Sequence, residues 1–268
     1  MTSTAASDRN WVAVVLAGDR GPNDPVARAA GARCKAMVDV AGRPLLGRVL
    51  DTLAVCDEIT ECRVVGPGAD IVAANPALGA LIEAAGARWI EPGASPVASA
   101  LAALDTVEPG RPVLITTADH ALLTPRMVAT MCRSGAGLDL GVGLIDYARV
   151  HSAYPDSRRT TTRLGARAFC GCNLFALYQP AGRTLVERWR RVENERKHPA
   201  RIVAGMLGWT ALARYALRAL PLEAAFAGLS KRHDLRAGPV LLDEPNAAID
   251  VDSVADLRQV EAILRDGR

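Results

Sequence analysis

One segment, Trp11–Leu46, constrains the fold of this chain more than any other part of the sequence. It opens with an apolar run, Trp11–Leu16, that ends in Ala17-Gly18 and gives way to a polar loop containing Lys35. Apolar residues at helical spacing then occupy Pro44–Val55. A buried strand that ends in a cationic loop before a helix is typical of an open α/β sheet, in which anionic ligands bind at the carboxyl ends of the strands.

Strand and helix patterns alternate along the rest of the chain, which favours a mostly parallel sheet covered by helices on both faces. Thr124-Pro125 is a helix start signal, with the threonine as N-cap and the proline in the first turn. The predicted strands are Trp11–Leu16, Glu61–Gly66, Ala87–Ile90, Pro112–Thr116, Leu138–Ile145, Ala168–Leu177 and Pro239–Leu242. The predicted helices are Pro44–Val55, Ala77–Ala85, Pro96–Leu104, Thr124–Cys132, Arg183–Lys197, a helical segment over 200–232, and Val254–Leu264.

Composition argues against several classes of protein. The formal charge of +3, without a run of lysines and arginines, argues against binding to nucleic acid. The polar start of the sequence lacks an export signal, so we expect a cytoplasmic protein with reduced thiols. The six cysteines form no C-x-x-C pair, and Cys170-Gly171-Cys172 alone has too few ligands for a zinc site.

The longest apolar region, residues 202–229, bears on membrane association. Its uncharged part, Ile202–Ala213, is shorter than the roughly 18 residues that a membrane span requires. We therefore predict short helices that pack on the core or on a partner subunit, in a monomer or a homodimer. A helix that lies on a membrane surface stays open as an alternative, because Arg201, Arg214 and Arg218 flank apolar residues.

Three short motifs follow one another in the opening segment. L-A-G ends at Gly18, K-A-M-V begins at Lys35, and G-R-P-L-L spans Gly42–Leu46. This order resembles the amino-terminal signature of nucleotidyltransferases, and it is most similar to their MobA-like branch. The resemblance implies an α/β, Rossmann-like (GT-A type) three-layer sandwich with a mostly parallel central sheet. It also implies a magnesium-dependent enzyme that transfers NMP from an NTP to a phosphorylated small-molecule acceptor and releases pyrophosphate.

The opening loop has residues that suit a triphosphate. Backbone N–H groups in a glycine-containing turn approach phosphate oxygens closely, and a lysine supplies a mobile point charge. The resemblance implies that Ala17 and Gly18 contact the nucleotide and that Lys35 is catalytic. Arg20 and Arg28 are both candidates to clamp the triphosphate, and the sequence does not decide between them because two prolines disturb the usual spacing of this loop.

Aspartates after two predicted strands are the candidate ligands of Mg²⁺. Asp119 follows the apolar strand V-L-I-T, on the side of an open sheet where ligands bind, and the resemblance makes it a catalytic magnesium ligand. In the late segment A-A-I-D-V-D-S-V-A-D-L, Asp252 aligns with the family's second acid, and Asp250 is a weaker metal candidate. Asp252 is equally suited to cap the last helix. Asp256 is expected on the solvated helix surface, and His120 is expected to be a hydrogen-bonded loop histidine.

A looser match suggests where the base of the nucleotide binds. The segment P-G-A-S-P-V-A-S-A-L contains Gly93, Ser95 and Ser99, and it lies where the family reads the base with a small residue and a hydroxyl ahead of a helix. We therefore expect these three residues to contact the nucleotide. Ser95 also precedes a proline, which is equally typical of an ordinary N-cap.

The acceptor is predicted to contact the later half of the chain. C-G-C-N-L-F resembles the family's acceptor-side strand, so Asn173 is expected to touch acceptor hydroxyls. Asparagine is disfavoured in strands, which suggests a local reason for it here. Two arginines in the preceding loop, Arg158 and Arg159, are candidates to hold an acceptor phosphate, and a solvated surface role is the alternative for both.

No Gly/Ser-rich linker divides the chain, so we expect one nucleotidyltransferase domain over residues 1–268. Residues 11–135 would bind the nucleotide. Residues 136–245 would form the acceptor half, with a helical insertion at about 180–235. Residues 246–268 would close the site and form the C-terminal helix.

Two other functions stay open from the sequence. A glycosyltransferase that uses a nucleotide-sugar shares the fold, but its D-x-D metal motif normally lies in mid-chain, whereas Asp250-Val251-Asp252 comes late. A nucleotide-binding regulatory module without turnover belongs to a different class. The presence of both Lys35 and Asp119 argues against it, and pyrophosphate release would separate the two.

Overall fold

The computed structural model describes residues 10–18, 23–193 and 214–267. The strands are β1 (Trp11–Leu16), β2 (Asp39–Val40), β3 (Arg43–Pro44), β4 (Ile59–Val65), β5 (Arg88–Ile90), β6 (Val113–Thr117), β7 (Leu140–Asp146), β8 (Thr162–Leu164), β9 (Arg167–Leu177) and β10 (Ala237–Leu241). The helices are α1 (Pro25–Ala29), α2 (Leu45–Ala54), α3 (Ala69–Ala74), α4 (Pro76–Ala84), α5 (Pro96–Leu104), α6 (Pro125–Arg133), α7 (Tyr147–Ala153), α8 (Pro180–Glu193), α9 (Leu222–His233) and α10 (Val254–Arg265). Short 3₁₀ turns lie at Lys35–Met37 and Pro245–Ala248.

The strands form a central sheet in the order β10-β7-β9-β6-β1-β4-β5, with β8 beside β9. β1 pairs in parallel with both β4 and β6, and β7 pairs in parallel with β10. β9 runs antiparallel to both β6 and β7. The carboxyl ends of β1, β4 and β6 therefore meet at one edge of the sheet, where an open α/β sheet binds its ligands.

The sheet is the middle of three layers. Val12 and Val14 pack into a core with residues of α5, α8 and α9, whereas Ala13 and Val15 pack on the other face with residues of α2, α6 and α10. Successive side chains of a strand point to opposite faces, so a run without polar residues is what a strand covered on both faces needs. The predicted fold class is confirmed.

Every strand predicted from the sequence is present, with ends within two residues of the prediction. The N-cap prediction for α6 is also confirmed, because the Thr124 hydroxyl accepts a hydrogen bond from the N–H of Met127 at 3.2 Å. The predicted helix Arg183–Lys197 begins three residues earlier, at Pro180, and is described as far as Glu193. The sequence did not predict α1, α3, α7, β2, β3 or β8, all seven residues long or shorter.

The apolar region 202–229 is only partly described. Residues 202–213 lie outside the described residues. In the remainder, Leu220 before α9 and Leu222 at its start are buried. In the part of the chain that the structure describes, no helix is long and apolar enough to cross a membrane.

Candidate active site

The candidate site lies at the carboxyl edge of the sheet, where the chain leaves β1 and β6. Ala17 and Gly18 follow β1, and Asp119 follows β6. The N–H of Ala118 donates to the carbonyl of Leu16 at 3.0 Å. The N–H of Ala17 donates to the carbonyl of Val65 at 2.9 Å. These bonds extend the sheet pairing past the strand ends, so the two loops are held side by side.

Lys35 enters this edge from the 3₁₀ turn that precedes β2. Its neighbours in the chain, Cys34 and Ala36, are buried and fix the backbone of the turn. The ammonium Nζ lies 2.6 Å from Asp119 Oδ2 and 3.1 Å from Asp252 Oδ1. The structure thus brings together three residues that the sequence analysis predicts for the catalytic centre.

Asp252 arrives on the segment between the Pro245–Ala248 turn and α10. The N–H of Val251 donates to the carbonyl of Asp119 at 3.1 Å, and the Val251 side chain is fully buried. The N-cap of α10 is Ser253, which forms a capping box with Asp256. The alternative that Asp252 only caps the last helix is therefore wrong, and its carboxylate is directed to Lys35 instead.

The predicted surface role of Asp256 is also wrong. Its side chain is only 16% exposed, and it contacts Arg159 as well as Ser253. Asp250 is likewise enclosed: Arg159 Nη1 lies 2.7 Å from Oδ1, and Asn173 Nδ2 donates to Oδ2 at 2.7 Å. Because both oxygens of Asp250 are engaged, the structure does not support the prediction that Asp250 is a metal ligand.

Burial and neighbouring charges shift the pKa values of Lys35 and Asp250 in this cluster. Burial alone would lower the pKa of Lys35, but the carboxylates of Asp119 and Asp252 outweigh it, and the pKa is raised. Lys35 is therefore a cation at neutral pH. The pKa of Asp250 is also raised, first by burial and then by the negative charges of Asp252 and Asp119.

A magnesium ion is compatible with the donors at this site. Asp119 Oδ1 is buried without a hydrogen-bond partner in the described structure, which is costly unless a ligand satisfies it. Within the described residues, no group of three or more His, Cys, Asp or Glu side chains is placed to hold a metal. Mg²⁺ does not need such a group, because it takes one or two protein carboxylates and completes its shell with phosphates and waters. Asp119 and Asp252 would supply those carboxylates.

A cleft of about 470 Å³ opens beside this cluster. The predicted nucleotide contacts Gly18, Gly93, Ser95 and Ser99 line it together with Asp119. A smaller cavity of about 20 Å³ connects the same edge to Lys35, and its lining includes Ala17, Gly18, Lys35 and Asp119.

The hydroxyls of both serines in this cleft accept hydrogen bonds from nearby backbone N–H groups. The Ser95 hydroxyl accepts from the N–H of Ala98 at 3.2 Å and caps α5, as the alternative prediction had it. The Ser99 hydroxyl accepts from the N–H of Gly93 at 3.1 Å. A Cβ on Gly93 would lie 2.6 Å from the Cβ of Ala98, so this turn needs glycine to approach α5 so closely.

Of the two arginines predicted to clamp the triphosphate, Arg28 lies within the described residues. Arg20 lies outside the described residues. Arg28 lies exposed in the last turn of α1, and it is not among the described residues that line either cavity. The structure therefore does not support Arg28 as a triphosphate ligand.

The three predicted acceptor residues have separate environments. Asn173 lies in β9 with a φ of +50°, where the register between β7 and β9 shifts. This irregularity is the local reason for an asparagine in the strand, since asparagine tolerates the left-handed region. Arg158 is exposed and lines a groove of about 670 Å³ along α10. The Arg159 side chain is only 7% exposed and is occupied by carboxylates, which conflicts with the predicted phosphate contact.

Sequence reasoning missed or misjudged two residues of this edge. Thr117 lines the large cleft, and its Oγ1 is buried without a hydrogen-bond partner in the described structure. The sequence signal for Thr117 is its position two residues before Asp119, at the end of an apolar strand whose carboxyl end faces the site. His120 was expected to be hydrogen-bonded, but it is buried with neither ring nitrogen paired in the described structure.

Known structures resemble this fold over nearly its whole length. A protein described as a hypothetical transferase from Thermus thermophilus is 26% identical, with a TM-score of 0.75 over 93% of this chain and 99% of that one. A 4-diphosphocytidyl-2C-methyl-D-erythritol synthase from Anaerococcus prevotii has a TM-score of 0.62 at 13% identity, covering 98% and 100%. CMP:2-keto-3-deoxy-manno-octonic acid synthetase, complexed with CTP, has a TM-score of 0.58 at 15% identity, covering 97% and 100%. At these low identities the last two show the fold alone.

The sequence itself matches a family profile described as the MobA-like NTP transferase domain over residues 13–204. No curated protein is significantly similar to it. The matched range contains Gly18, Lys35 and Asp119, and it covers well over half of the chain. The chain belongs to the family of MobA-like NTP transferase domains.

Proposed function

We propose that this protein transfers NMP from an NTP to a phosphorylated small-molecule acceptor and releases pyrophosphate. The observation that carries the proposal is the position of Lys35 between Asp119 and Asp252, where Asp119 also lines a glycine-lined cleft. A lysine and two carboxylates at the carboxyl edge of a parallel sheet suit a polyanionic substrate and its cation. The names of two structural neighbours, which are synthases of cytidine-containing products, are consistent with this chemistry.

The nucleotide is proposed to lie in the cleft of about 470 Å³, with its triphosphate directed to Gly18 and Lys35. Apart from the chain neighbours of Gly18, no atom of the described residues lies within 4 Å of a Cβ built on it, which leaves room for phosphate oxygens beside its backbone N–H. Gly93 and the capped start of α5 also line this cleft, as does Thr117, whose hydroxyl has no hydrogen-bond partner among the described residues.

Catalysis would depend on alignment and charge rather than on a covalent enzyme intermediate. An acceptor phosphate oxygen attacks the α-phosphorus, the bond to the β-phosphate oxygen breaks, and pyrophosphate leaves with that electron pair. Lys35 holds a fixed positive charge that stabilises the negative charge developing on the α-phosphate and the leaving group. Mg²⁺, held by Asp119 and Asp252, would neutralise further charge on the triphosphate.

The first experiment identifies the nucleotide. Each of the four NTPs is added with and without Mg²⁺, and the melting temperature is measured. A ligand at 100 times its Kd stabilises the folded state by about 2.7 kcal/mol, which raises Tm by several degrees in a protein of this size. The NTP that stabilises most is then tested for pyrophosphate release with a panel of phosphorylated acceptors. Absence of stabilisation by any NTP would contradict the proposal.

The second experiment tests the residues. Asp119→Asn is expected to lower the rate of pyrophosphate release about 10²–10³-fold, because it removes a stabilising charge without changing shape. The matched control is Asp57→Asn, an exposed aspartate before β4 at the opposite edge of the sheet. Lys35→Ala should reduce the rate more than Lys35→Arg, since the arginine keeps the charge. A rate for Asp119→Asn within a few-fold of wild type would remove Asp119 from the site.

The two aspartates of the candidate D-x-D motif do not face the same site, which argues against the glycosyltransferase alternative. In Asp250-Val251-Asp252, only Asp252 is directed to Lys35, whereas Asp250 is bound by Arg159 and Asn173. Nucleotide-sugars are included in the same Tm panel. Stabilisation by a nucleotide-sugar, with none by the free NTP, would favour that alternative.

A further inference from the structure

We propose that Arg159 is a positioning residue, which holds Asp252 against Asp119 and Lys35 by binding the aspartates on either side of it in the chain. This inference rests on the proposed function, in which Asp252 helps to hold a metal ion on the triphosphate. It replaces the phosphate contact that the sequence predicts for Arg159.

The Asp252 carboxylate is held by Lys35, but packing adds little to that contact. Its side chain is 69% exposed, so packing restrains it weakly. Its position must come from the backbone on either side, which runs from the buried Ile249 and Val251 to the cap of α10 at Ser253. A contact that fixes both ends of this segment would therefore fix Asp252.

Arg159 makes that contact with a single guanidinium. Nη1 lies 2.7 Å from Asp250 Oδ1 and donates to the Asp250 carbonyl at 3.1 Å, whereas Nη2 contacts Asp256 Oδ1. Its Nε donates to the Ser157 hydroxyl at 3.0 Å, which anchors it in the loop after α7. The planar fork of arginine satisfies two carboxylates at once, which the point charge of lysine cannot do with the same geometry.

Asn173 completes the arrangement from the sheet. The irregular turn of β9 directs its amide to Asp250 Oδ2, so Asp250 is held between the loop and the sheet. Lys35 pairs with Asp119 and Asp252, whereas Asp250 is paired with Arg159, so the loss of Arg159 would remove the positive charge that offsets Asp250 beside those two aspartates. Like charges at short range repel, and this repulsion would act against the hydrogen bond from the Val251 N–H to the Asp119 carbonyl, so the segment would hold Asp252 less firmly beside Asp119.

The experiment compares wild type with Arg159→Lys and Arg159→Met. Mn²⁺ replaces Mg²⁺, and its binding is measured by electron paramagnetic resonance in the presence of a non-hydrolysable analogue of the preferred NTP. Changes to residues that orient metal ligands typically weaken metal affinity about 10–100-fold. We expect a loss of that size in Arg159→Met and a smaller one in Arg159→Lys. In steady-state assays kcat should fall, whereas the KM for the NTP should change little.

Arg111→Lys is the matched structural control. Arg111 is also an enclosed, ion-paired arginine, with a side chain 13% exposed, and it contacts Glu61 at the other edge of the sheet. Its loss should lower Tm and leave Mn²⁺ affinity unchanged. If Arg159→Met fails to fold, Asn173→Gly supplies the second variant, because glycine keeps the left-handed backbone while removing the amide. It should weaken Mn²⁺ binding in the same direction.

The outcomes separate this proposal from the function on which it rests. If wild type, Arg159→Lys and Arg159→Met all bind Mn²⁺ and release pyrophosphate equally well, the proposed role of Arg159 is overturned. The proposed function is not affected by that result. A lowered Tm with unchanged Mn²⁺ affinity and kcat would overturn the role of Arg159 too, because that is the behaviour of a purely structural arginine. Wild type that binds neither NTP nor Mn²⁺ would overturn the proposed function and this inference with it.

Discussion

His120 is expected to make the stability of this protein depend on pH between about 4 and 6.5. The side chain is only 1% exposed, and neither ring nitrogen has a hydrogen-bond partner in the described structure. Burial lowers its pKa from 6.5 to about 4, and the nearby Asp119 carboxylate offsets only part of that effect. The folded state therefore keeps this imidazole neutral in a range where the unfolded chain protonates it.

The sign and size of the effect follow from the two pKa values. Because the unfolded state binds more protons below pH 6.5, the free energy of unfolding falls as the pH decreases from 6.5 towards 4. One pKa unit corresponds to 1.36 kcal/mol, so the complete effect is about 3 kcal/mol. At pH 5 the folded imidazole is still mostly neutral, and the expected loss relative to pH 7.5 is about 2 kcal/mol.

The assay is urea unfolding at pH 7.5 and pH 5, on wild type and on His120→Leu. Leucine fills the buried position without a titratable group, so the variant should lose about 2 kcal/mol less than wild type between the two pH values. His151→Leu is the matched control, because His151 is exposed on α7. The other titratable groups are the same in wild type and in His120→Leu, so the difference between these two proteins reports on His120.

Two results would refute the reasoning. One is the same pH dependence in wild type and in His120→Leu. The other is a pKa near 6.5 for His120 in an NMR titration of the folded wild type, which would mean that water or a protein group reaches the ring.

Three further changes test the fold and the cleft. Gly93→Ala should weaken NTP binding at least several-fold in calorimetry, because its Cβ would lie 2.6 Å from the Cβ of Ala98; unchanged affinity would show that the cleft wall yields. Asp24→Ala should cost about 1 kcal/mol in urea unfolding, since this buried N-cap accepts from two N–H groups of α1 at 2.9 and 3.0 Å. Leu114→Ala should cost about 2–5 kcal/mol in the same assay, because Leu114 is fully buried in β6. A loss below about 1 kcal/mol would mean that the core closes around the gap.

The local sequence was sufficient for the elements that depend on local preference. β1 and α5 have the predicted limits, and α6 begins at the predicted cap, because periodic burial and capping are signals within a few residues. The short elements α1, α7 and β8 were missed. Helices and strands of that length have little preference of their own and are stabilised by the packing around them.

The sequence also identified the chemical groups of the candidate centre. Lys35 and Asp119 stood out by residue type, by their place after a strand or a glycine turn, and by their order in a recognised signature. The structure places them 2.6 Å apart, although 84 positions separate them in the chain. The parallel sheet is the cause, because it gathers the ends of distant strands at one edge.

Only the tertiary structure decided what the later polar residues do. From the sequence, Arg159 was a candidate phosphate ligand, Asp256 a surface residue and Asp250 a metal ligand. In the fold, the three form one network with Asn173. The reason is physical: a charged side chain acts according to the charges around it, and these come from segments more than 70 residues apart. No local pattern records which carboxylate will face which guanidinium, so that information exists only once the sheet and α10 have packed together.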